Sequence, residues 1–298
     1  MRIVERPGPL LRERTTLRLG GRAAVEWRAP SAEALEDLPA AMVKHGLKFL
    51  ALGRGSNLLV KDQPLNQAVL SLDLDPEPRV VAELDDRVSV RAAANTALPR
   101  LLGFLAKRGL SGLEGLAGVP GSVGGALVMN AGSFGHEFGR QLRRARIFSP
   151  ETGLVWLSKD DVVLGYRHFS LQAETSWFVA AEAELELGRD DPEAIKARMR
   201  TNFQKKKASQ PLTEHSAGCA FKNPAPEAPA GRLIEEAGLK GRALGGMAFS
   251  ELHANFLVNR GGGTSEQALD LLRLARKKVL ETSGHELELE VRVYPCCA

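Results

Sequence analysis

Four kinds of side chain in this sequence could take part in acid–base, charge-stabilising or anion-binding chemistry. Arg167 stands in LGYRHF, between two β-like runs. Its guanidinium keeps its charge and offers a planar fork that suits carboxylates. Taken singly, it reads equally as a surface arginine. Cys219 stands in AGCAFKNP, between a glycine and a Lys-Asn-Pro turn. A lone cysteine is most often a small buried apolar residue. With partial exposure, a thiol of ordinary pKa about 8.5 can donate a proton near neutral pH. Glu286, Glu288 and Glu290 alternate with apolar residues in ELELEVRV, and Arg292 continues the series. Period two places them on one face of a strand. That is the pattern of a solvated, ion-paired face, or of a carboxylate held in a site. Lys205, Lys206 and Lys207 follow a helical segment. They read as a solvated face or as a clamp for a diphosphate.

Two glycine-bearing loops could cradle a ligand. The denser holds Gly118, Val119, Pro120, Gly121, Ser122, Gly124 and Gly125, with Asn130, Ala131 and Gly132 shortly after. Glycines permit positive φ and close backbone approach to a ligand. A helix starting there would favour a bound anion. The other loop is Gly53, Arg54, Gly55, Ser56 and Asn57, leading into Leu58; its serine and asparagine could bond a pyrophosphate. Neither loop matches GxGxxG or GxxxxGK[ST], so neither a Rossmann fingerprint nor a Walker loop is supported.

The elements that must position these residues read as a mixed α+β chain. Residues 25–60 suggest strand, helix, strand, with Ser31 as N-cap. Residues 87–94 alternate as a strand, and 97–110 form an amphipathic helix. Asp190 or Asp191 caps a helix that starts at Pro192. Ser265 caps a long helix that Gly284 closes. A final strand covers residues 285–294. The composition shifts near residue 190.

The chain has 298 residues, 44% of them apolar and 26% charged, with a formal net charge of +4. These values describe a globular protein long enough for two or three packed units. The charge is too mild to imply nucleic-acid binding. The three cysteines, Cys219, Cys296 and Cys297, form neither a zinc spacing nor a secreted disulfide framework. No apolar run nears the roughly 20 residues needed to cross a bilayer, and the N-terminus lacks a signal core. The expectation is a cytoplasmic protein, monomeric by preference, without metal, nucleic-acid partner or membrane insertion.

Taken together, TTLRLGG, LGRGSNLLV, GLEGLAGVPGSVGGALVMNAGSFG, GYRHF, SQPLTEHSAGCAFKNP, AGRLIEEAGLKG, HANFLVN and LELEVR resemble the UDP-N-acetylenolpyruvoylglucosamine reductases of peptidoglycan precursor synthesis. The resemblance implies an α+β fold: an FAD-binding domain of the vanillyl-alcohol-oxidase type in two subdomains, followed by an α+β substrate-binding domain. The implied blocks are 1–66, 67–188 and 189–298, with the C-terminal strand near 286–298 returning to the first. It implies FAD and NADPH as cofactors and UDP-N-acetylglucosamine enolpyruvate as substrate. NADPH would deliver hydride to the flavin, which would pass it to the terminal enolpyruvyl carbon. Arg167 and Glu290 would stabilise the resulting enolate-like charge, and Cys219 would donate the proton. The two glycine loops, together with Glu114, would hold FAD. Tyr166, Lys205, Lys206, Lys207, Asn223 and His253 would contact the substrate. The family usually has serine where this chain has Cys219. The interval after Tyr166 is short, as in the family's form without a lid loop. The alternatives are an FAD oxidase of another small molecule, or a flavin-binding protein without activity.

Overall fold

A computed structural model of the chain describes residues 2–295; Cys296 and Cys297 lie outside them. The chain forms two compact units that interleave along the sequence. The first takes the chain up to Pro7, Val25–Arg54 and Gln67–Lys205; the second takes Gly8–Ala24, Gly55–Asn66 and the chain from Lys206 on. These compact units cut the chain differently from three consecutive blocks.

The first unit holds two sheets. A four-stranded one has the order Val4–Pro7, Ala23–Ala29, Leu65–Leu72, Phe49–Ala51, and its last two strands run parallel. Between Ala29 and Phe49 the expected helix is split. Glu33–Asp37 is a 3-10 turn, and the α-helix spans Leu38–His45. Pro39 explains the break: it has no N–H to give, and is tolerated only in a first turn. Gly46 closes the helix at φ 63. The larger sheet is antiparallel and has the order Gly153–Ser158, Leu142–Ser149, Val179–Arg189, Arg87–Ala93, Arg79–Leu84. Val88, Val90, Ala183, Leu185 and Leu187 face its core. The helix Leu98–Lys107 covers that face with Leu98, Leu101, Leu102 and Leu105, the spacing of an amphipathic helix.

The helix Pro192–Ser209 begins as the sequence predicts. Asp191 caps it by accepting the N–H groups of Glu193 and Ala194 at 3.3 and 3.1 Å.

The second unit is built on an antiparallel sheet in the order His215–Cys219, Phe256–Asn259, Met247–Phe249, Ala243–Leu244. The helices Ala230–Glu236 and Ser265–Ser283 pack with it around Phe221, Phe249, Leu272 and Val279. The N-cap of the long helix is Thr264, not Ser265. Thr264 is extended, its hydroxyl accepts the Gln267 N–H, and Gln267 reaches back to close a capping box. Gly284 ends the helix at φ 71, as predicted. The final strand is shorter than its alternation predicts: only Arg292–Tyr294 is a strand, with one bridge from Leu289 to Phe221. Alternation reports which face a side chain takes; ladder length depends on the partner, and here the segment changes partner. Arg292–Tyr294 does return to the early chain, pairing parallel with Leu58–Val60.

Candidate active site

In the first unit the two glycine loops meet. A Cβ on Gly53 would stand 2.5 Å from the Ser122 hydroxyl and would displace it. Ser122 caps the helix Val123–Val128 and accepts the Gly125 N–H at 3.4 Å. The expected anion site at this helix start is not what the glycines serve. The Val123 N–H goes to the Thr96 carbonyl and that of Gly124 to Ala94, each at 2.9 Å. A Cβ on Gly124 would come within 2.7 Å of Ala94 Cβ. The glycines let a strand end close on the helix. The donors left over lie just before it: among the described residues, the N–H groups of Gly53, Arg54, Gly121 and Ser122 meet no protein acceptor. Val119 and Ala131 turn back on this run, donating to Leu116 at 2.9 Å and Ala126 at 2.8 Å. Pro120 lies between Gly118, at φ 80, and Gly121, at φ 148.

The same unit holds Arg167. Its guanidinium donates to the Gly132 carbonyl at 2.9 Å and lies 5.1 Å from the centre of the half-exposed Tyr166 ring. Asn130 sets the turn that carries this pair. Buried at φ 38, it accepts the Gly139 N–H and donates to the Gly165 carbonyl, both at 2.9 Å. Residues 172–178 alone join the hairpin's second strand, His168–Leu171, to Val179–Arg189, which leaves no room for a long lid loop.

Glu114 is held by the protein on both of its oxygens. It is buried; Arg198 donates to Oε1 through Nε and Nη2 at 3.1 and 2.7 Å, and Gly112 N–H takes Oε2 at 2.7 Å. Burial alone would push this carboxyl up, but Arg198 and the backbone donors hold it below the usual range. With both oxygens engaged, Glu114 fastens its loop to the helix Pro192–Ser209.

In the second unit, the loop at residues 55–58 is shaped by Gly55, at φ 62, whose Cβ would collide with the Arg14 carbonyl. Asn57 Nδ2 donates to the Glu290 carbonyl at 3.1 Å, and Arg292 N–H donates to Asn57 at 3.0 Å. Cys219 ends its strand just after a register shift between Ser216 and Cys219 with Gly218 at φ 77. Such a bulge re-aims the following side chain. The next residues are clamped from both sides. Ala220 N–H donates to the Asn255 carbonyl at 2.7 Å, and the Asn255 side chain takes the Phe221 N–H at 2.9 Å and returns its own N–H to the Phe221 carbonyl at 2.8 Å. On the other side, Glu290 N–H donates to the Ala220 carbonyl at 2.9 Å. Glu290, half-buried, is thus hydrogen-bonded through its own N–H to the residue that follows the half-buried Cys219. Glu286 and Glu288 are exposed, and Lys222 pairs with Glu288 at 2.6 Å.

Asn255 is the residue that sequence reasoning missed; an asparagine in a run as apolar as ANFLV is its only signal. Asn223, exposed, accepts the Ala230 N–H at 3.0 Å at the start of a helix. His253 is half-buried: Nδ1 accepts the Asn255 N–H at 3.3 Å, and its ring meets Phe256 edge-on with centroids 5.0 Å apart. Burial pushes its pKa down. Of the three lysines, Lys205 and Lys207 are exposed, while Lys206 is 2% exposed and burial pushes it down to about 8. A uniformly solvated lysine face is therefore not what forms.

Known proteins match this arrangement along nearly its whole length. A family model described as the C-terminal domain of UDP-N-acetylenolpyruvoylglucosamine reductase matches residues 210–294, and one described as an FAD binding domain matches residues 23–158. The protein named UDP-N-acetylenolpyruvoylglucosamine reductase in Nitratidesulfovibrio vulgaris is 54% identical over 96% of this chain and 97% of its own. The chain belongs to the UDP-N-acetylenolpyruvoylglucosamine reductase family. The Oleidesulfovibrio alaskensis reductase is 50% identical over 97% of both chains. The crystal structure of the reductase from Thermus caldophilus superposes with a TM-score of 0.80 at 35% identity, covering 99% of this chain and 100% of that one. As a member of this reductase family the protein is an FAD-dependent oxidoreductase with NADPH as its reductant. The residues fit that cofactor. A diphosphate needs several donors at close range, and the glycine-narrowed cradle of Gly53, Arg54, Gly121 and Ser122 offers backbone N–H groups with no Cβ on Gly53 or Gly121 to bar the approach. No helix of the described residues is long and apolar enough to cross a membrane, and no acidic, histidine or cysteine cluster among them could hold a metal.

Proposed function

We propose that this reductase converts UDP-N-acetylglucosamine enolpyruvate to UDP-N-acetylmuramate with electrons from NADPH, in the cytoplasm and as a monomer, within peptidoglycan precursor synthesis. The single observation that carries the residue assignment is the Glu290–Ala220 hydrogen bond, which ties the thiol-bearing segment to the carboxyl-bearing one. When bound, FAD accepts hydride from NADPH and hands it to the terminal carbon of the enolpyruvyl group.

The chain's own residues do the rest. The N–H groups of Gly53, Arg54, Gly121 and Ser122 hold the cofactor's diphosphate. Hydride arrival at the terminal carbon leaves negative charge on its neighbour and on the attached carboxylate. Arg167 offsets that charge with its fixed guanidinium. Glu290 can help only as the neutral acid, donating its O–H, because a carboxylate there would oppose the charge. Cys219 then gives its Sγ proton to the neighbouring carbon. A thiol is a stronger acid than the serine hydroxyl usual in the family, so the substitution preserves the donor. Lys206 grips the substrate's diphosphate. An amine held at about 8 by burial regains its full charge beside an anion, so substrate binding near pH 8 should take up protons. Tyr166, Lys205, Lys207, Asn223 and His253 remain assigned to the substrate by resemblance.

Stopped-flow absorbance tests this without oxygen. NADPH should bleach the yellow protein, and the enolpyruvyl nucleotide sugar should restore the colour. An oxidase would recolour with oxygen and ignore the sugar. Cys219→Ala should leave bleaching intact and slow recolouring by about 10² to 10⁴, while Cys219→Ser keeps turnover. Fast recolouring in Cys219→Ala removes the thiol from the mechanism.

A further inference from the structure

One face of the larger sheet is rich in arginine. The other face carries Val88, Val90, Ala183 and Leu185, which pack against the helix Leu98–Lys107 and against Val123 and Leu127 of the helix that Ser122 caps. Alternation sends Arg91, Glu184 and Arg144 to the opposite side. They stand side by side on three neighbouring strands, and Arg79 extends the row on a fourth. Arg146, two residues beyond Arg144, is in register with Glu182 on one side and Trp156 on the other. At a register shift between Leu142 and Arg144, Arg143 joins this face, reaching Ser89 at 2.9 Å and Glu184 at 3.3 Å.

Folding needs fewer cations than this. Glu184 is shared by Arg91, Arg143 and Arg144, and Glu182 by Arg146 at 3.1 Å and Arg79 at 3.6 Å. Arg146 also reaches Glu33 at 2.9 Å. The two central carboxylates lie beneath, with Glu184 buried and the Glu182 side chain 12% exposed, whereas Arg79 and Arg143 are 54% and 43% exposed. Solvent therefore meets guanidinium. Arg91 and Arg144 each stand 4.7 Å from the centre of the half-buried Trp156 ring. Cations crowded in this way repel, and an added anion would relieve the repulsion.

The chemistry of that anion can be read from the face. Arginine and tryptophan are enriched where protein interfaces hold most of their binding energy, and a guanidinium fork matches a carboxylate. Arg144 and Arg146 are about 7 Å apart along their strand, the spacing of alternate carboxylates in an extended segment. A second copy of this chain does not fit, because a two-fold interface would set the same cations against each other. Nucleic acid needs a row of phosphates neutralised, and these groups leave only two cations in excess of Glu33, Glu182 and Glu184.

We propose that this face docks an extended acidic segment of a partner protein, with alternate carboxylates paired to Arg79, Arg143, Arg144 and Arg146 beside Trp156. The probe is a fluorescein-labelled peptide of alternating glutamate and serine, followed by anisotropy on the flavin-loaded protein at low ionic strength. The parent should bind it saturably. Arg79→Gln with Arg143→Gln removes two exposed guanidiniums while Glu182 keeps Arg146 and Glu184 keeps Arg91 and Arg144. This double variant should bind the peptide about tenfold more weakly, and Arg79→Gln alone about threefold. Both colour changes of the flavin should stay within about twofold of the parent. Arg273→Gln with Lys277→Gln takes the same charge from the exposed side of the helix Ser265–Ser283 and should leave peptide binding at the parental level. A parent that does not bind the peptide overturns the proposal, as do Arg79 and Arg143 variants that bind like the parent. An equal loss in both double variants also overturns it, since the attraction would then be one of net charge. So does tighter binding of a single-stranded oligonucleotide of the same charge, which would make phosphate the preferred anion.

Discussion

Asn255 uses both ends of its amide on a single residue, Phe221, and its carbonyl on Ala220. The group is 2% exposed, so water cannot replace it. Asn255→Leu should leave the Phe221 N–H and carbonyl buried and unmet, costing about 2–4 kcal/mol in a denaturant titration. It should also slow recolouring by the sugar more than bleaching by NADPH, because Cys219 and Glu290 flank the clamped dipeptide. Lys206 is buried to the same degree, and it titrates. Its amine titrates at about 8 in the fold against 10.5 for an ordinary lysine. Between these values the unfolded chain binds more protons, so stability should climb as pH rises from about 8 to 10.5. Lys206→Met should abolish that climb and bind the nucleotide sugar less tightly. Residue types told part of this in advance. Cys219 and Glu290 stand in recognisable motifs, whereas the partners of Glu114 and Phe221 lie 84 and 34 residues away. No local spacing signals such a partner.

At the scale of elements, the glycine cradle is the most constrained piece. Gly53→Ala would put a methyl against the Ser122 hydroxyl, 2.5 Å from its Cβ. The purified variant should keep its far-ultraviolet dichroism and lose bound flavin, read as the ratio of 450 to 280 nm absorbance. Gly124→Ala should act on stability, since its methyl meets Ala94 rather than a ligand. Overpacking of that kind costs about 1–3 kcal/mol. The sequence carried the density of glycines but not this division of labour between ligand approach and strand closure. The helix Ser265–Ser283 was legible almost to the residue, because caps and a 3.6-residue period are local signals. The 285–294 strand was legible only as a pattern of faces, since ladder length is decided by partners elsewhere in the chain.

Across the whole molecule, the charges of the larger sheet set the acid limit. Glu184 is 0% exposed and takes Arg91, Arg143 and Arg144 at 3.1, 3.3 and 3.0 Å. Burial pushes its carboxyl up, but Arg144 and Arg91 outweigh that and hold it below 4.5. A depressed carboxyl stabilises the fold above its unfolded pKa and stops doing so as pH falls through its folded one. The parent should therefore lose stability below about pH 4.5, and Glu184→Gln should lose less there. At pH 7 the variant should be weaker by about 1–3 kcal/mol, less than a fully buried pair because the arginines stay partly wet. The overall fold class was legible because the motifs run in order along nearly the whole chain. The interleaving of the two compact units was not, since chain order carries no record of which distant segments share a core.

The parallel pairing of Arg292–Tyr294 with Leu58–Val60 has a consequence for synthesis. A ribosome must add 233 residues after Asn57 before its amide can meet the carbonyl of Glu290. A nascent or prematurely stopped chain can fold much of the larger sheet and yet lack the segment that carries its carboxyl group. Translation through the segment that carries Glu290 thus acts as a checkpoint, and products stopped before it should emerge silent rather than half-competent.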